Sequence, residues 1–294
     1  EKNGAEADML AVQLLVNGLL TGGLYILVAQ SLNLIFGVMG VVNLAHGSFI
    51  VLTGLFTFWF TTATGLNPLL VLPLAFVAIG LIGAGLQPLL IEPLMKHGRK
   101  AELLSLMVTF GLSYVLLELA LQLWGSDFVS VPYLQSSWQL AGIDFGKALV
   151  VSGLFAAAVS ALLYIWLNRT DSGKCLLAAS QSATGAICCG IDVRRVRLVA
   201  FALGVGLAAA AGVLVIVVMP LAPQTAEDLT LLAFVIIALG GLGNHVGVAV
   251  AAVLLGIAQS VSGFFLGGNA EYVLPYVLLI LVMIARPERF RRTA

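Results

Sequence analysis

Long apolar stretches alternate along this chain with short segments that contain most of its polar residues. Each stretch approaches the roughly 20 residues that an α-helix needs to cross a bilayer, and none shows the strict alternation of a barrel strand. The pattern predicts helices near residues 9–29, 48–62, 68–91, 101–123, 147–167, 196–219, 230–243, 246–266 and 272–286. The sequence therefore predicts an all-α fold, a polytopic membrane helical bundle.

The segment 30–47 is apolar but interrupted by polar residues and glycine, among them Asn33, Asn43 and His46. It is expected to form part of a further span or a re-entrant piece, which gives nine or ten crossings with interrupted helices. Residues 240–247 again place Asn, His and Gly between two apolar runs. Lipid offers no partner to irregular polar backbone, so such segments must pack against protein or line a cavity. Interrupted stretches in both halves are typical of transporters.

The composition agrees with a membrane protein and argues against several other functions. The 294 residues are 61% hydrophobic and 10% charged, with a mean hydropathy of +1.09, whereas soluble domains are about 25% charged. Basic and acidic residues number 14 each, so no nucleic acid partner is expected. The adjacent Cys188 and Cys189 fit no zinc spacing, and no phosphate-binding loop is present. We therefore expect no metal, no cofactor and no ATP site in this chain.

Basic residues concentrate in three segments, at 96–100, 169–197 and 286–292, whereas the connections 124–146 and 220–229 are acidic or neutral. The positive-inside rule places the three basic segments in the cytoplasm, and nine spans would then put the N-terminus outside. Glu92, at a cytoplasmic helix end, is expected to be solvated.

The second basic segment contains a predicted short amphipathic helix, which extends from Cys175 to Cys189 and is ended by Gly190. It could bind a groove on a partner or lie in the lipid headgroups.

Four segments of the chain resemble a known family. Residues 32–47 look like the hallmark of permease subunits of branched-chain amino acid ABC importers, and residues 109–113, 178–196 and 233–243 resemble three further segments of that family. The matches extend from about residue 15 to 287, so residues 1–294 are interpreted as a single transmembrane permease domain. Two positions depart from the family pattern: Ser48 replaces a frequent acidic residue, and no glycine follows Arg286-Pro287.

The resemblance implies a multi-pass subunit of a bacterial inner membrane that works only within a complex. Its partners would be a second homologous permease in a heterodimer, two cytoplasmic ATP-binding subunits, an extracytoplasmic solute-binding protein and membrane lipid. The chain itself would not be an enzyme, because ATP hydrolysis would take place on the partner subunits. The loop at about 168–197 would be the coupling loop to these ATPases, through Ala178, Ala179, Gln181, Ala186, Gly190 and Asp192.

The small or polar members of the matched segments are expected to line the path of a small polar solute: Asn33, Asn43, His46, Ser48, Thr109, Gly241 and Asn244. For His46 and His245, a structural imidazole bonded to a nearby carbonyl, or a residue at the membrane surface, stays an alternative. Branched-chain amino acids are the default solute, with urea, short amides and aromatic acids as alternatives within the family. A gradient-driven carrier would need buried charge, for which Glu118 is isolated support, and a structural scaffold would not explain the interruptions.

Overall fold

The computed structural model of this protein describes residues 2–140 and 143–285, and most of these residues are helical. The helices are α1 (Lys2–Met39), α2 (His46–Thr64), α3 (Val71–Leu86), α4 (Glu92–Met95), α5 (Ala101–Trp124), α6 (Lys147–Arg169), α7 (Asp171–Gln181), α8 (Ala183–Cys188), α9 (Val193–Val218), α10 (Thr225–Gly240), α11 (His245–Leu266) and α12 (Gly268–Ala285). One antiparallel hairpin joins β1 (Ser137–Leu140) to β2 (Ile143–Gly146). The predicted helical membrane bundle is confirmed.

Within the described ranges, seven helical segments are long and apolar enough to cross a membrane. They are Met9–Met39, His46–Thr64, Pro68–Met95, Ala101–Trp124, Lys147–Arg169, Val193–Val218 and His245–Leu266. The predicted nine or ten spans are not confirmed. One reason is α10, which has only 16 residues and would be about 24 Å long at 1.5 Å per residue. An apolar run therefore need not be a complete span.

Helix α1 is longer than the sequence pattern predicts, and the interruption after it is shorter. Asn33 and Gly37 continue the helix to Met39, so the irregular part is confined to residues 40–45. Asn33 remains helical because its side chain finds a partner outside α1, the backbone N–H of Gly243 at 2.9 Å. Asn33 and Gly37 therefore do not interrupt the helix, whereas Gly40 and Asn43 lie in the irregular segment as predicted.

Helix α9 forms the centre of the bundle and packs against α1, α2, α3 and α6. Its residues from Gly204 to Val217 are all buried. Small residues allow this close packing, since a Cβ on Gly206 would lie 2.9 Å from the carbonyl oxygen of Phe76 in α3. Membrane helices lack a hydrophobic drive toward one another, so close backbone approach supplies the contact.

One end of the bundle is closed by extended segments. Val129 and Leu221 exchange two backbone hydrogen bonds of 2.9 Å, which joins the chain after α5 to the chain after α9. At the same end, the Gln13 side chain of α1 bonds the backbone of Asp144 in the hairpin. The start of α1 and the 124–146 connection therefore lie on one side of the bundle, which the predicted orientation also requires.

Glu92 is not solvated, so that expectation is wrong. The helical chain continues from α3 through a π-helical turn at Gln87–Ile91 into α4, and Glu92 is 8% exposed. Its carboxylate is paired with the guanidinium of Arg197 in α9, which replaces water as its partner. The pair joins α4, which leads into the basic segment 96–100, to the end of the basic segment 169–197. The third basic segment, at 286–292, lies outside the described residues.

Two further boundaries differ from those predicted. Helix α10 begins at Thr225, so Glu227 lies in its first turn and not in an external connection. The single helix predicted from Cys175 to Cys189 is instead two helices, α7 and α8, because the chain becomes extended at Ser182, whose hydroxyl caps α8. Gly190 follows α8 with φ of +80°, and the predicted left-handed helix end is confirmed.

Candidate translocation site

The first interruption of the bundle is the irregular segment 40–45 between α1 and α2. Gly40 begins it with φ of +65°, a conformation that side chains with a Cβ rarely adopt. Side chains bond the backbone N–H groups that have no helical partner in this segment. Thr109 Oγ1 accepts the N–H of Leu44 at 3.1 Å, and Asn43 Oδ1 accepts the N–H of Ala45 at 3.2 Å. Thr109 and Asn43 are buried. They therefore satisfy broken backbone where lipid could not.

The start of α2 is held by the same kind of contact. His46 is fully buried, and its Nε2 lies 3.0 Å from the carbonyl oxygen of Val28 and 3.3 Å from Ser31 Oγ. Gly47 donates its N–H to Thr230 Oγ1 of α10 at 2.8 Å. The imidazole thus has the carbonyl partner that the structural interpretation of His46 requires, and it fixes the depth at which α2 begins.

The second interruption, residues 241–244 between α10 and α11, is built in a similar way. Gly241 and Gly243 have φ of +95° and +78°. Asn33 Oδ1 of α1 accepts the N–H of Gly243 at 2.9 Å. Asn244 caps α11 by accepting the N–H of Gly247 at 3.0 Å, and the Gln30 amide donates to the carbonyl oxygen of His245 at 2.7 Å. Both interruptions therefore bind the same short part of α1, residues 28–33.

A groove of about 290 Å³ lies beside the first interruption, between α5 and α10. It is lined by Leu44, Phe110, Ser113, Tyr114, Glu227, Thr230 and Leu231. Ser113 lies halfway along the 24 residues of α5, so the groove reaches the middle of a span. Phe110, Tyr114 and Leu231 are about half exposed, so one side of the groove is open in the single subunit.

The residues predicted to line a pathway thus fall into two groups. Asn43, His46, Ser48 and Thr109 surround the first interruption, whereas Asn33, Gly241 and Asn244 belong to the second. Of the first group, Ser48 comes nearest the groove, because its hydroxyl lies 2.8 Å from the hydroxyl of Ser113. Asn43 and His46 are buried behind it, and Leu44 is the residue of the segment that reaches the groove.

None of the seven residues that line the groove was predicted from the sequence as a pathway residue. They are Leu44, Phe110, Ser113, Tyr114, Glu227, Thr230 and Leu231. A spacing signal was available, since Phe110, Ser113 and Tyr114 recur at the three- and four-residue interval of one helix face, as do Glu227 and Thr230. The missing information was which two faces meet, and only the tertiary structure supplies it.

The family model for the permease component of branched-chain amino acid transport systems matches residues 14–283. The chain belongs to this family. It is 26% identical to the high-affinity branched-chain amino acid transport system permease protein LivH of Escherichia coli K12, with 96% of each chain covered. It is also 26% identical to the probable branched-chain amino acid transport permease protein LivH of Methanocaldococcus jannaschii, covering 95% of this chain and 90% of the relative. The same identity relates it to BraD of Pseudomonas aeruginosa, with 94% of each chain covered.

Among solved structures, the chain is similar to a chain of PsaBC from Streptococcus pneumoniae in complex with a Fab. The TM-score is 0.50 at 14% sequence identity, and the match covers 94% of this chain and 93% of that one. At this identity the similarity concerns the fold alone.

Family membership confirms the resemblance read from residues 32–47 and the three other segments. The chain is a permease subunit of an ABC importer and a multi-pass protein of the bacterial inner membrane. Permease components of this family are transport subunits and not enzymes, and such systems in general include ATPase and binding-protein partners.

In this permease, the segment predicted to couple to the ATPases forms α7, α8 and the turn that leads into α9. Ala179 and Ala186 are buried, Ala178 is half-buried, and Gln181, Gly190 and Asp192 are exposed. Asp192 caps α9 by accepting the N–H groups of Arg194 and Arg195. Ile187, which the sequence analysis did not single out, is 61% exposed on α8.

Proposed function

We propose that this permease forms half of the translocation path of an ATP-driven importer of branched-chain amino acids, in a heterodimer with a second permease. Two cytoplasmic ATPases hydrolyse the ATP, and an extracytoplasmic protein delivers the amino acid. The observation that carries the proposal is the groove between α5 and α10, which lies beside broken, polar backbone and reaches the middle of a span.

The open side of the groove supports a second permease subunit. Phe110 and Tyr114 of α5 and Leu231 of α10 are 51%, 50% and 42% exposed, respectively. In the heterodimer these side chains would contact the homologous face of the partner permease, so the groove would become a closed path. A path built at a subunit boundary can widen or narrow when the two subunits move, which is how two conformations alternate.

The lining of the groove favours an amino acid as the solute. Leu44, Phe110 and Leu231 offer apolar surface to an aliphatic side chain. Glu227 supplies a carboxylate for the ammonium group, and the hydroxyl of Ser113 can bond the solute carboxylate. The relatives named LivH and BraD carry the same solute class in their names. Urea and simple amides lack the ammonium group, so they would leave the Glu227 charge without a partner.

The pathway residues predicted from the sequence take a specific part in this proposal. Ser48 and Thr109 border the groove through Ser113 and Leu44. Asn43 and His46 hold the irregular segment from behind, and Asn33, Gly241 and Asn244 form the corresponding support at the second interruption. We infer that these side chains keep a bent backbone at the depth where the solute passes, and that the groove residues contact the solute.

Helices α7 and α8 are proposed to receive the movement of an ATPase subunit. Gln181 and Ile187 are exposed, whereas Ala179 and Ala186 pack the segment against the bundle. A short helix with an outward apolar side chain fits the groove-binding mode of recognition. Because α8 leads through Gly190 and Asp192 directly into α9, a displacement of this segment would reach the central helix of the bundle.

The experiment uses the complete importer in proteoliposomes and replaces one carboxylate of the groove. For Glu227→Gln, ATP-driven leucine uptake is expected to show a KM raised at least about tenfold, since a hydrogen bond to a charged group contributes about 1.5–3 kcal/mol and about 1.4 kcal/mol corresponds to a factor of ten. Asp228→Asn is the matched control, because Asp228 lies in the same turn of α10 but lines a different cavity and bonds the hydroxyl of Tyr276. Equal effects of the two substitutions, or an unchanged KM for Glu227→Gln, would contradict the proposal.

A further inference from the structure

A charged side-chain cluster joins the cytoplasmic ends of α4 and α9. Arg197 Nε donates to Glu92 Oε2 at 3.1 Å, and its Nη2 donates to Oε1 of the same carboxylate. Gln87 Nε2 also donates to Glu92 Oε2, at 2.8 Å. The Glu92 side chain is 10% exposed and that of Arg197 is 21% exposed. All three donors thus converge on one nearly buried carboxylate.

The position of Arg197 connects this cluster to the coupling segment. Helix α9 starts at Val193 behind its cap Asp192, so Arg197 lies in the second turn of the helix. The chain reaches that cap from α8 through Gly190 and Ile191, and the Ile191 N–H bonds back to the carbonyl oxygen of Ala186. A displacement of α8 therefore reaches Arg197 over only a few residues of ordered chain.

The position of Glu92 connects the cluster to a weak point in the α3–α4 helix. Glu92 directly follows the π-helical turn Gln87–Ile91, which contains Pro88 and precedes Pro93. Prolines and π-helical turns interrupt the regular hydrogen-bond ladder and are the sites at which helices bend. Before this turn, α3 packs closely on α9, since a Cβ on Gly83 would lie 3.1 Å from Val205.

We propose that Glu92 and Arg197 are a positioning pair that makes α4 follow the cytoplasmic end of α9 when the ATPases move the coupling segment. The inference rests on the proposed role of α7 and α8. Separating the pair would deprive two nearly buried charges of their counter-ion and leave Glu92 with Gln87 as its neutral donor, which is strongly unfavourable. The two helix ends therefore move together, and the bend at Gln87–Ile91 takes up the change. Without the pair, α9 moves alone, and ATP hydrolysis no longer opens and closes the path completely.

The test measures ATP hydrolysis and leucine uptake in the same proteoliposomes that contain the complete importer. For Glu92→Gln, the number of molecules transported per ATP is expected to fall about tenfold, while the hydrolysis rate changes less than twofold and the KM for leucine is unchanged. Arg197→Lys, which keeps the charge but loses the two-pronged geometry, should give an intermediate ratio. Lys147→Gln is the control, since it removes an exposed charge at the start of α6, outside the coupling segment, where Lys147 Nζ donates to Ser136 Oγ, and it should leave the ratio unchanged.

A loss of assembly in the single variants is addressed by the double variant Glu92→Met, Arg197→Leu. Apolar replacement of a buried ion pair often preserves folding, so this variant should assemble and still show the tenfold lower ratio. A normal ratio in the assembled double variant overturns the proposal, as does a parallel fall of uptake and hydrolysis in Glu92→Gln. Failure of the proposed function would look different, because the wild-type importer would then show no ATP-dependent leucine uptake.

Discussion

Gln30 and Ser31 are adjacent in α1, yet their side chains bind the two different interruptions of the bundle. Gln30 donates to the carbonyl oxygen of His245 at 2.7 Å, and Ser31 Oγ lies 3.3 Å from His46 Nε2. A single stretch of α1 therefore determines where α2 and α11 both begin. This arrangement explains why polar residues are tolerated within α1, the longest of the described helices.

His46 is expected to be needed for stability. His46→Ala removes the bonds to Val28 and Ser31 from a fully buried position, and the loss of buried hydrogen bonds costs on the order of 1–3 kcal/mol. The free energy of unfolding in detergent should fall by that amount. His97→Ala, at the exposed turn before α5, is the matched control and should leave it unchanged. Equal stability of wild type and His46→Ala would contradict the structural role of the imidazole.

Gly47 is expected to tolerate no side chain. A Cβ at this position would lie 2.5 Å from Thr230 Oγ1 and would clash with the carbonyl oxygen of Ala226. Gly47→Ala should therefore push α2 away from α10 and destabilise the protein by about 1–3 kcal/mol, measured as a lower Tm. Gly85→Ala is the control because a Cβ there meets open space. The prediction fails if both variants unfold at the same temperature.

The hydroxyl of Thr109 is expected to matter more for transport than the shape of the Thr109 side chain. Thr109→Val removes the acceptor for the Leu44 N–H while keeping the volume of the side chain. The unpaired backbone group should cost about 1–3 kcal/mol and shift Leu44 at the edge of the groove, so the KM for uptake should rise. Thr109→Ser keeps the hydroxyl and should behave nearly as wild type. Normal transport by Thr109→Val would show that this bond does not position the groove.

Ile187 is expected to anchor the ATPase subunit. The substitution Ile187→Asp replaces an exposed aliphatic side chain of α8 with a charge, which should prevent burial in an apolar groove. Co-purification of the ATPase subunits with the permease should fall at least tenfold. Cys189→Ser, at an exposed position two residues further on, should retain the complex. Intact complexes with Ile187→Asp would exclude this side chain as an anchor.

Local features of the fold could be predicted from the sequence. Apolar runs give the helical class, and Gly190 marks a helix end because few other residues accept its φ of +80°. The family could also be identified, because residues 32–47 and three other segments match it together. These signals are local, so each can be read without knowing which helices are neighbours.

Tertiary partners could not be predicted in the same way. The sequence predicts a solvated Glu92 at a helix end, whereas the structure shows that Arg197, 105 residues later, lies beside it. Asn33 reads as a break until Gly243 supplies its partner. Glu227 reads as part of an external connection until α10 is found to begin at Thr225. For Glu92 and Asn33, a polar group is satisfied by a distant residue, and sequence spacing does not contain that information.

The most direct test of a path beside the broken backbone is the chemical accessibility of Ser113→Cys, in a chain whose Cys175, Cys188 and Cys189 are replaced by serine. Ser113 lines the groove halfway along α5. In the assembled importer, the new thiol should react with a membrane-impermeant, water-soluble thiol reagent, and leucine delivered by the binding protein should slow the reaction. A thiol that reacts only with lipid-soluble reagents, or that leucine does not protect, would contradict the account.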